Sequence, residues 1–255
     1  MVGIDKSDAE QADREIQHWR KWKGRTDSLW GWNTPAGRQR ALRRTRLFVE
    51  FGHLSADSDV LEIGAGTGEF TLRMAPAVKR LTAIDISHEL LCQARSKADK
   101  NRFESVTFIA GDVLYLPLAS NCFDAVFGCS VLHHVRVRDA LREIHRVLKP
   151  GGWCVFSEPN MMNPQVALQK NVPFIKRRSG DTLDETAFFR GELQGYLAAC
   201  AFDQIVVRNF DFLHPSVPAA WVRQVNAAGL WLESIPLVRA FSGSLICAGR
   251  KPENI

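Results

Sequence analysis

Residues 58–71 read SDVLEIGAGTGEFT, and this stretch decides the fold. A short apolar run at 60–63 has the composition of a buried strand and ends in Gly64, Gly66 and Gly68. Helical spacing follows from residue 69. Glycine adopts positive φ without strain and leaves backbone open to a ligand, and the first N–H groups of a helix are unpaired. Strand, glycine loop and helix in this order predict a cradle for a ligand that carries a negative group and a ribose.

Bulk composition predicts one globular α/β domain with appendages. The chain has 255 residues, of which 45% are hydrophobic and 24% charged, close to the average of folded domains. No apolar run approaches the roughly 20 residues that span a bilayer, and the first residues lack a secretory leader. Six cysteines without metal-ligand spacing favour reduced thiols. We therefore expect a cytoplasmic location, no transmembrane segment and no metal.

Positive charge is concentrated in two places. The formal net charge is +5, and basic residues cluster at 38–46 (RQRALRRTR) and at 176–178. Such runs most often form solvated helix faces. The cluster at 38–46 is interpreted in that way, with attraction to an anionic substrate, a membrane surface or a nucleic acid left open.

Two regions differ in pattern. Residues 1–57 predict an N-terminal helical cap, because four of the seven tryptophans lie between Trp19 and Trp32 and helical spacing follows at 38–53. From residue 58 strands alternate with helices, which favours a parallel, doubly wound sheet with its ligand at the carboxyl ends of the strands. The predicted strands are 60–63, 81–85, 106–110, 123–129 and 153–158, and the predicted helices are 69–78, 87–100 and 138–148.

The last third of the chain is less regular. A stretch rich in Pro and Asn (159–173) precedes a predicted helix at 184–200, a strand at 204–210 and a final strand at 243–250. An amphipathic stretch lies at 219–239, and packing onto the sheet is its default interpretation. A cover for an apolar ligand, a dimer face and membrane contact stay open for it.

Three nucleotide sites are compared for the glycine loop. A P-loop needs Gly-Lys-Ser/Thr, and no Gly-Lys dipeptide occurs in the chain. A dinucleotide site needs G-x-G-x-x-G, but Glu69 stands where its third glycine would fall. Neither Tyr115 nor Tyr196 has the lysine four residues on that a short-chain dehydrogenase needs. Both of these sites are disfavoured.

The motifs after the loop match a third kind of site. Glu62 precedes the loop, Asp85 ends the next strand, and Asp112 stands in GDVLYLPL, followed by FDAVFGCSVLHHV and LREIHRVLKPGG. On these motifs, residues 60–158 resemble the class I S-adenosylmethionine-dependent methyltransferases, more narrowly the group of ubiquinone/menaquinone, sterol and natural-product enzymes. The resemblance implies a Rossmann-like, seven-stranded, mostly parallel sheet whose last strand, here 243–250, is antiparallel. Ala201 replaces the glycine expected before the sixth strand.

The resemblance also implies a cofactor site for S-adenosylmethionine. Asp85 would accept from the ribose hydroxyls and Asp112 from the adenine amino group, with Val113 beside the ring. The expected cofactor-binding residues are Glu62, Gly64, Ala65, Gly66, Thr67, Gly68, Asp85, Ile86, Asp112, Val113, Cys129 and Ser130.

Candidate bases lie where the fourth and fifth strands end. His134 and His133 follow Ser130, and Glu158 ends the fifth strand. Histidine titrates near neutral pH, which suits a base, although either histidine could instead cap the next helix. Trp30 and Trp32 could form an aromatic lid, whereas core packing is favoured for Trp19 and Trp22.

The sequence thus predicts an enzyme that methylates oxygen or carbon of a small molecule, such as a secondary metabolite or a quinone-like or lipid-linked precursor. Residues 58–255 would form the catalytic domain, with 159–181 and 211–241 as acceptor-side insertions. The alternatives are an RNA-modifying methyltransferase, whose base-amino motif is absent at GCSVLHHV, and a non-catalytic nucleotide-binding subunit. A small-molecule acceptor is expected as partner and a nucleic acid is not. Peripheral membrane contact and a monomer or homodimer stay open.

Overall fold

A central sheet of seven strands organises the protein. The computed structural model describes residues 6–22, 24–178, 182 and 185–253. The strands are β1 (Asp59–Ile63), β2 (Arg80–Asp85), β3 (Val106–Ala110), β4 (Phe123–Cys129), β5 (Leu148–Pro159), β6 (Asp203–Phe210) and β7 (Ser244–Arg250). The helices are α1 (Lys6–Lys21), α2 (Thr26–Leu29), α3 (Pro35–Phe51), α4 (Glu69–Met74), α5 (His88–Lys100), α6 (Val137–Val147), α7 (Pro164–Asn171), α8 (Pro173–Arg178), α9 (Arg190–Ala199), α10 (Val222–Glu233) and α11 (Pro236–Arg239).

Strand order confirms the predicted fold class. The order is β3-β2-β1-β4-β5-β7-β6. Strands β1 to β5 pair in parallel, and β7 runs antiparallel to both β5 and β6. The order of strands reverses between β1 and β4, and in such sheets the ligand binds beside the carboxyl ends of the strands at this point.

Two apolar cores lie on opposite faces of the sheet because side chains alternate along a strand. Leu61 and Phe156 pack into one core with α6 and α9. Val60 and Val155, one residue before each of them, pack into the other with α3 and α4. All four are fully buried. Helix α3, which lies within the predicted cap at 1–57, therefore packs into the core on this face of the sheet.

Two helices begin three or more residues away from the predicted start. Helix α3 starts at Pro35 and not at residue 38, because the Thr34 side chain accepts from the Gly37 N–H at 2.9 Å and proline fits the first helical position. Helix α9 starts at Arg190 and not at residue 184. Phe188 is buried and bridges to Asn160, so the chain before α9 is held extended. Asp184 itself lies outside the described residues.

The amphipathic stretch does not pack fully onto the sheet, so its default interpretation is wrong. Trp221, Trp231 and Leu237 are 60%, 65% and 84% exposed. Helix α10 packs closely against the rest of the protein at Gly229, since a β-carbon there would lie 3.2 Å from Phe212. Among the described residues, no helix combines the length and apolar character needed to cross a membrane.

Ala201 supplies a first test of the fold. It follows α9 with φ of 61° and is exposed, and an L residue in this left-handed conformation is strained by about 1 kcal/mol or more. We expect Ala201→Gly to raise the free energy of unfolding by roughly 0.5–1 kcal/mol, measured by urea denaturation. The matched control is Ala198→Gly in the exposed face of α9, which should lower it by about 1 kcal/mol. Equal effects of the two substitutions would contradict this account.

Candidate functional site

The glycine loop joins β1 to α4 at the carboxyl edge of the sheet. Gly64, Gly66 and Gly68 have φ of 71°, 51° and 84°, a region that side chains disfavour. A β-carbon on Gly64 would lie 2.8 Å from the Val131 side chain. Both the backbone conformation and the close approach of Val131 therefore require glycine at this end of the loop.

Asp85, the last residue of β2, holds the loop in place. Its Oδ2 accepts from the Gly66 N–H at 2.7 Å and its Oδ1 from the Ser87 N–H at 2.8 Å. Burial raises the pKa of this carboxyl, and the two N–H groups oppose that shift. Each carboxylate oxygen keeps a second lone pair. Asp85 can therefore support the loop and still accept from two ligand hydroxyls.

One cavity of about 870 Å³ opens over this loop. Asp112, after β3, also caps the short turn that carries Val113, with its Oδ1 2.9 Å from the Leu114 N–H. Ten of the twelve residues predicted to bind the cofactor line the cavity: Gly64, Ala65, Gly66, Thr67, Asp85, Ile86, Asp112, Val113, Cys129 and Ser130.

Glu62 and Gly68 do not line the cavity, and their contact with the cofactor stays a prediction. Glu62 is buried and accepts from Thr71 Oγ1 of α4 at 2.5 Å. Burial raises the pKa of Glu62 to about 8. Gly68 precedes α4, and a β-carbon there would lie 2.9 Å from Ala94 of α5. Both residues position α4 behind the loop.

The segment before α3 covers the loop. Trp30 lies across Gly66, since a β-carbon on that glycine would come within 3.1 Å of the indole. Thr67 Oγ1 donates to the Asp27 carboxylate, which also pairs with Lys97 of α5 at 2.9 Å. These contacts place an aromatic roof over the predicted cofactor site.

Two further tryptophans border the cavity. The Trp19 ring meets Trp30 at a centroid distance of 5.0 Å, and Trp32 meets Phe70 of α4 at 5.3 Å. Trp19 was expected in the core. It is half-buried and lines the cavity instead.

His133 and His134 lie side by side on the short turn after β4. Their ring centroids are 4.2 Å apart, and both line the cavity. Glu158 is buried behind them: its Oε1 accepts from the Val131 and Leu132 N–H groups at 3.0 and 2.9 Å, and its Oε2 lies 2.7 Å from His133 Nδ1. Glu158 does not line the cavity, and a catalytic role for it stays a prediction. It holds the turn and orients His133.

The two imidazoles have opposite pKa shifts. Burial lowers the pKa of His133 well below its usual value, and the neighbouring His134 and Lys170 act in the same direction. Burial also acts to lower the pKa of His134, but the carboxylates of Glu15 and Glu185 outweigh it and raise this pKa. His133 is therefore neutral at neutral pH, and His134 is the stronger base of the pair.

Two carboxylates that the sequence did not single out face His134. Glu15 Oε2 of α1 lies 3.4 Å from His134 Nδ1, and Glu185 Oε1 lies 3.7 Å from the same atom. Gln11 of α1 donates to the His134 carbonyl at 2.6 Å. Because the groups come from distant segments, no local motif marks them. The N-terminal helix thus takes part in the wall that carries the histidines.

The same cluster contains the donor atoms of a cation site. Ligand atoms of His133, His134 and Glu185 lie within 4.8 Å of one another, a spacing that one metal ion could bridge. However, Lys170 of α7 lies 2.8 Å from Glu185 Oε2 and already supplies a positive charge to that carboxylate. The absence of a metal requirement stays a prediction.

The basic stretch of α3 is not a solvated helix face, and that interpretation is wrong for three of its arginines. Arg40 and Arg44 both pair with Asp211 at 2.8 Å, and Arg43 pairs with Glu233 at 2.5 Å. Arg40, Arg44 and Asp211 line the cavity. Two guanidinium groups beside one carboxylate leave an excess positive charge on this wall, which suits an anionic ligand group.

These features fit an adenosine with a charged amino-acid tail. The loop offers backbone without side chains, Asp85 keeps lone pairs that can accept from ribose hydroxyls, and Asp112 and Val113, predicted to face the base, line the same cavity. The arginine pair of α3 provides for a carboxylate. The fold and the cavity together define a class I S-adenosylmethionine-dependent methyltransferase domain.

Comparisons with known proteins agree. The family described as "Methyltransferase domain" matches residues 61–156. The ubiquinone/menaquinone biosynthesis C-methyltransferase UbiE of Cereibacter sphaeroides is 36% identical over 98 residues, which cover 36% of this chain and 39% of that protein. The [4+2]-cyclase SpnF has a TM-score of 0.70 at 23% identity, covering 94% of this chain and 97% of that one. The N-methyltransferase NodS of Bradyrhizobium japonicum, solved with S-adenosyl-L-homocysteine, has a TM-score of 0.62 at 22% identity, covering 93% and 98%.

Residues 61–156 are therefore a methyltransferase domain, and the predicted cofactor, S-adenosylmethionine, is confirmed for it. The chain spans about two fifths of the length of the curated relative that it matches. The solved structures, at under 25% identity, share the fold with this chain.

Proposed function

We propose that this protein transfers a methyl group from S-adenosylmethionine to oxygen or carbon of a small, quinone-like or lipid-linked acceptor. The observation that carries the proposal is His134, which shares one cavity with the Asp85 loop and has a raised pKa. The name of the Cereibacter relative, a ubiquinone/menaquinone biosynthesis C-methyltransferase, supports a carbon acceptor.

The residues of the chain have three tasks in this reaction. When bound, the cofactor supplies an electrophilic methyl group on a sulfonium. The loop and the tryptophan roof align the two reactants and exclude water, and such positioning contributes roughly 7–11 kcal/mol. Because two carboxylates face His134 Nδ1, the proton is favoured on Nδ1, and Nε2 is left to take the acceptor's proton. Glu158 holds His133 in place through its Nδ1, and burial keeps His133 neutral.

The two alternatives are less well supported. An RNA-modifying enzyme would use the basic stretch of α3 to bind phosphates, yet Arg40, Arg43 and Arg44 are engaged in ion pairs with Asp211 and Glu233. A non-catalytic subunit would bind the cofactor without turnover. Measuring cofactor binding and methyl transfer on the same protein separates this alternative from the proposal.

Cofactor binding is tested at Asp85. We expect saturable S-adenosylmethionine binding by calorimetry and, in Asp85→Ala, a dissociation constant raised by about 100-fold or more, because two charge-assisted hydrogen bonds to the ribose are lost. The matched control is Asp99→Ala, an exposed carboxylate of α5, which should bind as the parent does. A parent protein that does not bind would overturn the proposal. Binding without methylation of any quinol, phenol or enol acceptor would favour the non-catalytic subunit.

Glu15 sets the pH range of the reaction. His134 acts as a base only when neutral, so kcat/KM should rise with pH through its raised pKa. The groups that face it are Glu15, Glu185, Lys170 and His133. Glu15→Gln removes one of the charges that favour the imidazolium, so we expect the acidic limb of the kcat/KM profile to move to lower pH. An unmoved limb with intact cofactor binding would show that Glu15 does not act on the base.

A further inference from the structure

We propose that the protein docks on an anionic lipid surface through an apolar surface beside the cavity that has no exposed acidic residue. The surface consists of residues 159–178 and 211–241 and is called the acceptor-side surface below. The inference deepens the proposed function by naming a bilayer as the source of a lipophilic acceptor. It rests on the proposed function for the nature of that acceptor. Lipid binding itself is measured without cofactor, so the two proposals can fail separately.

Exposed apolar side chains are concentrated on the acceptor-side surface. Of eleven large apolar residues exposed in the described part of the chain, eight belong to it: Met162, Leu168, Phe174, Trp221, Leu230, Trp231, Leu237 and Phe241. Scattered single exposed residues are normal in a folded domain, whereas such a concentration marks an interaction surface.

Charge on this surface has one sign. Residues 159–178 contain no Asp or Glu, and residues 211–241 contain only Asp211 and Glu233. Both of these are buried in ion pairs with arginines of α3. Arg177 and Arg223 are exposed. The acceptor-side surface therefore presents cations and no exposed carboxylate, which complements a negative surface.

The chemistry fits a lipid headgroup layer. Tryptophan is amphipathic and concentrates at the boundary between headgroups and acyl chains, and arginine keeps its charge in the polar layer while its stem lies on apolar surface. Short helices with exposed Trp, Leu and Arg and without exposed acid have the composition of segments that lie in this boundary. Helices α10 and α11 match this description.

The acceptor-side surface borders the mouth of the cavity. Leu168 of α7 lines the cavity and is also 54% exposed. The two segments are joined beside it, since Asn163 donates to the Phe241 carbonyl at 2.8 Å and Asn160 to the Ser242 carbonyl at 2.6 Å. A protein seated on a bilayer through this surface would have its cavity mouth close to the acyl chains, where a lipophilic acceptor is dissolved.

Vesicle sedimentation tests the proposal. We expect the full chain to bind vesicles of equimolar phosphatidylcholine and phosphatidylglycerol and to bind pure phosphatidylcholine at least tenfold more weakly. The double variant Trp231→Ser, Leu237→Ser should lose roughly 10- to 100-fold in binding, since two largely exposed apolar side chains no longer enter the bilayer. Arg223→Ala should weaken binding to the anionic vesicles alone.

A matched control is Val206→Ser on β6, which replaces an exposed apolar residue outside the acceptor-side surface and should bind as the parent does. Binding by the parent to neither kind of vesicle would overturn the proposal. So would equal loss in Val206→Ser and the double variant, or a homodimer that the double variant dissociates, because the surface would then be covered by a second copy. Cofactor affinity of the double variant should be unchanged.

Discussion

His134→Ala should lower kcat by about 10²–10⁴, the usual contribution of a general base. The reason lies in the surroundings of His134: it lines the cavity, and Glu15 and Glu185 raise its pKa against the effect of burial. The neighbouring His133 cannot replace it, because its pKa is lowered and its Nδ1 is held by Glu158 at 2.7 Å. Single-turnover kinetics with saturating cofactor measures the effect on the chemical step.

Cofactor affinity separates catalysis from folding in this experiment. His134→Ala should bind S-adenosylmethionine within about threefold of the parent, a free-energy change of less than 1 kcal/mol. The control His88→Ala changes an exposed histidine at the start of α5 and should keep full turnover. Turnover that survives in His134→Ala would assign this side chain to packing of the wall.

Asp211→Asn should lower the free energy of unfolding by about 3–5 kcal/mol, the cost of removing the charge of one partner from a buried ion pair. Asp211 is 3% exposed and accepts from Arg40 and Arg44 at 2.8 Å. Asparagine keeps the shape but leaves two neighbouring guanidinium groups without a counter-charge. Urea denaturation measures the loss, and Asp59→Asn is the matched control. Asp59 pairs with the exposed Arg80 at 2.7 Å, and such a pair contributes below about 1 kcal/mol.

The same carboxyl predicts a pH dependence. Burial acts to raise the pKa of Asp211, but Arg44 and Arg40 outweigh it and lower the pKa from 3.8 to about 2. Because the folded-state pKa is depressed, the stabilisation is complete above the unfolded value of 3.8 and is lost as pH falls towards 2. The difference in stability between parent and Asp211→Asn should shrink over that interval. A constant difference would show that the charge of Asp211 is not the cause.

The cofactor half of the site was predictable because its signals are local. The positive φ of Gly64 and Gly66 and the position of Asp85 at the end of β2 follow from a few contiguous residues. Glu62, which was also predicted for this half, does not line the cavity because of its orientation. Glu62 alternates with its strand neighbours and therefore points into the core towards Thr71, away from the cavity.

The acceptor half was predictable only in part. Histidines after β4 are visible in the sequence, but the role of Glu158 as their support is not, since it depends on β4 and β5 lying side by side. The exposure of Trp221 and Trp231 was likewise hidden. An amphipathic pattern predicts an apolar face, and it does not say whether that face meets the sheet or the solvent.

By itself, the sequence determined the doubly wound sheet, the glycine cradle and the nucleoside that it suits, because periodicity and backbone conformation act over a few residues. The tertiary structure alone decided which charges meet. Arg40 pairs with Asp211, 171 residues away, and Glu15 of α1 faces His134, which follows β4. The geometry of the folded chain decides which charged groups meet, and burial decides how strongly they interact. Local sequence spacing determines neither.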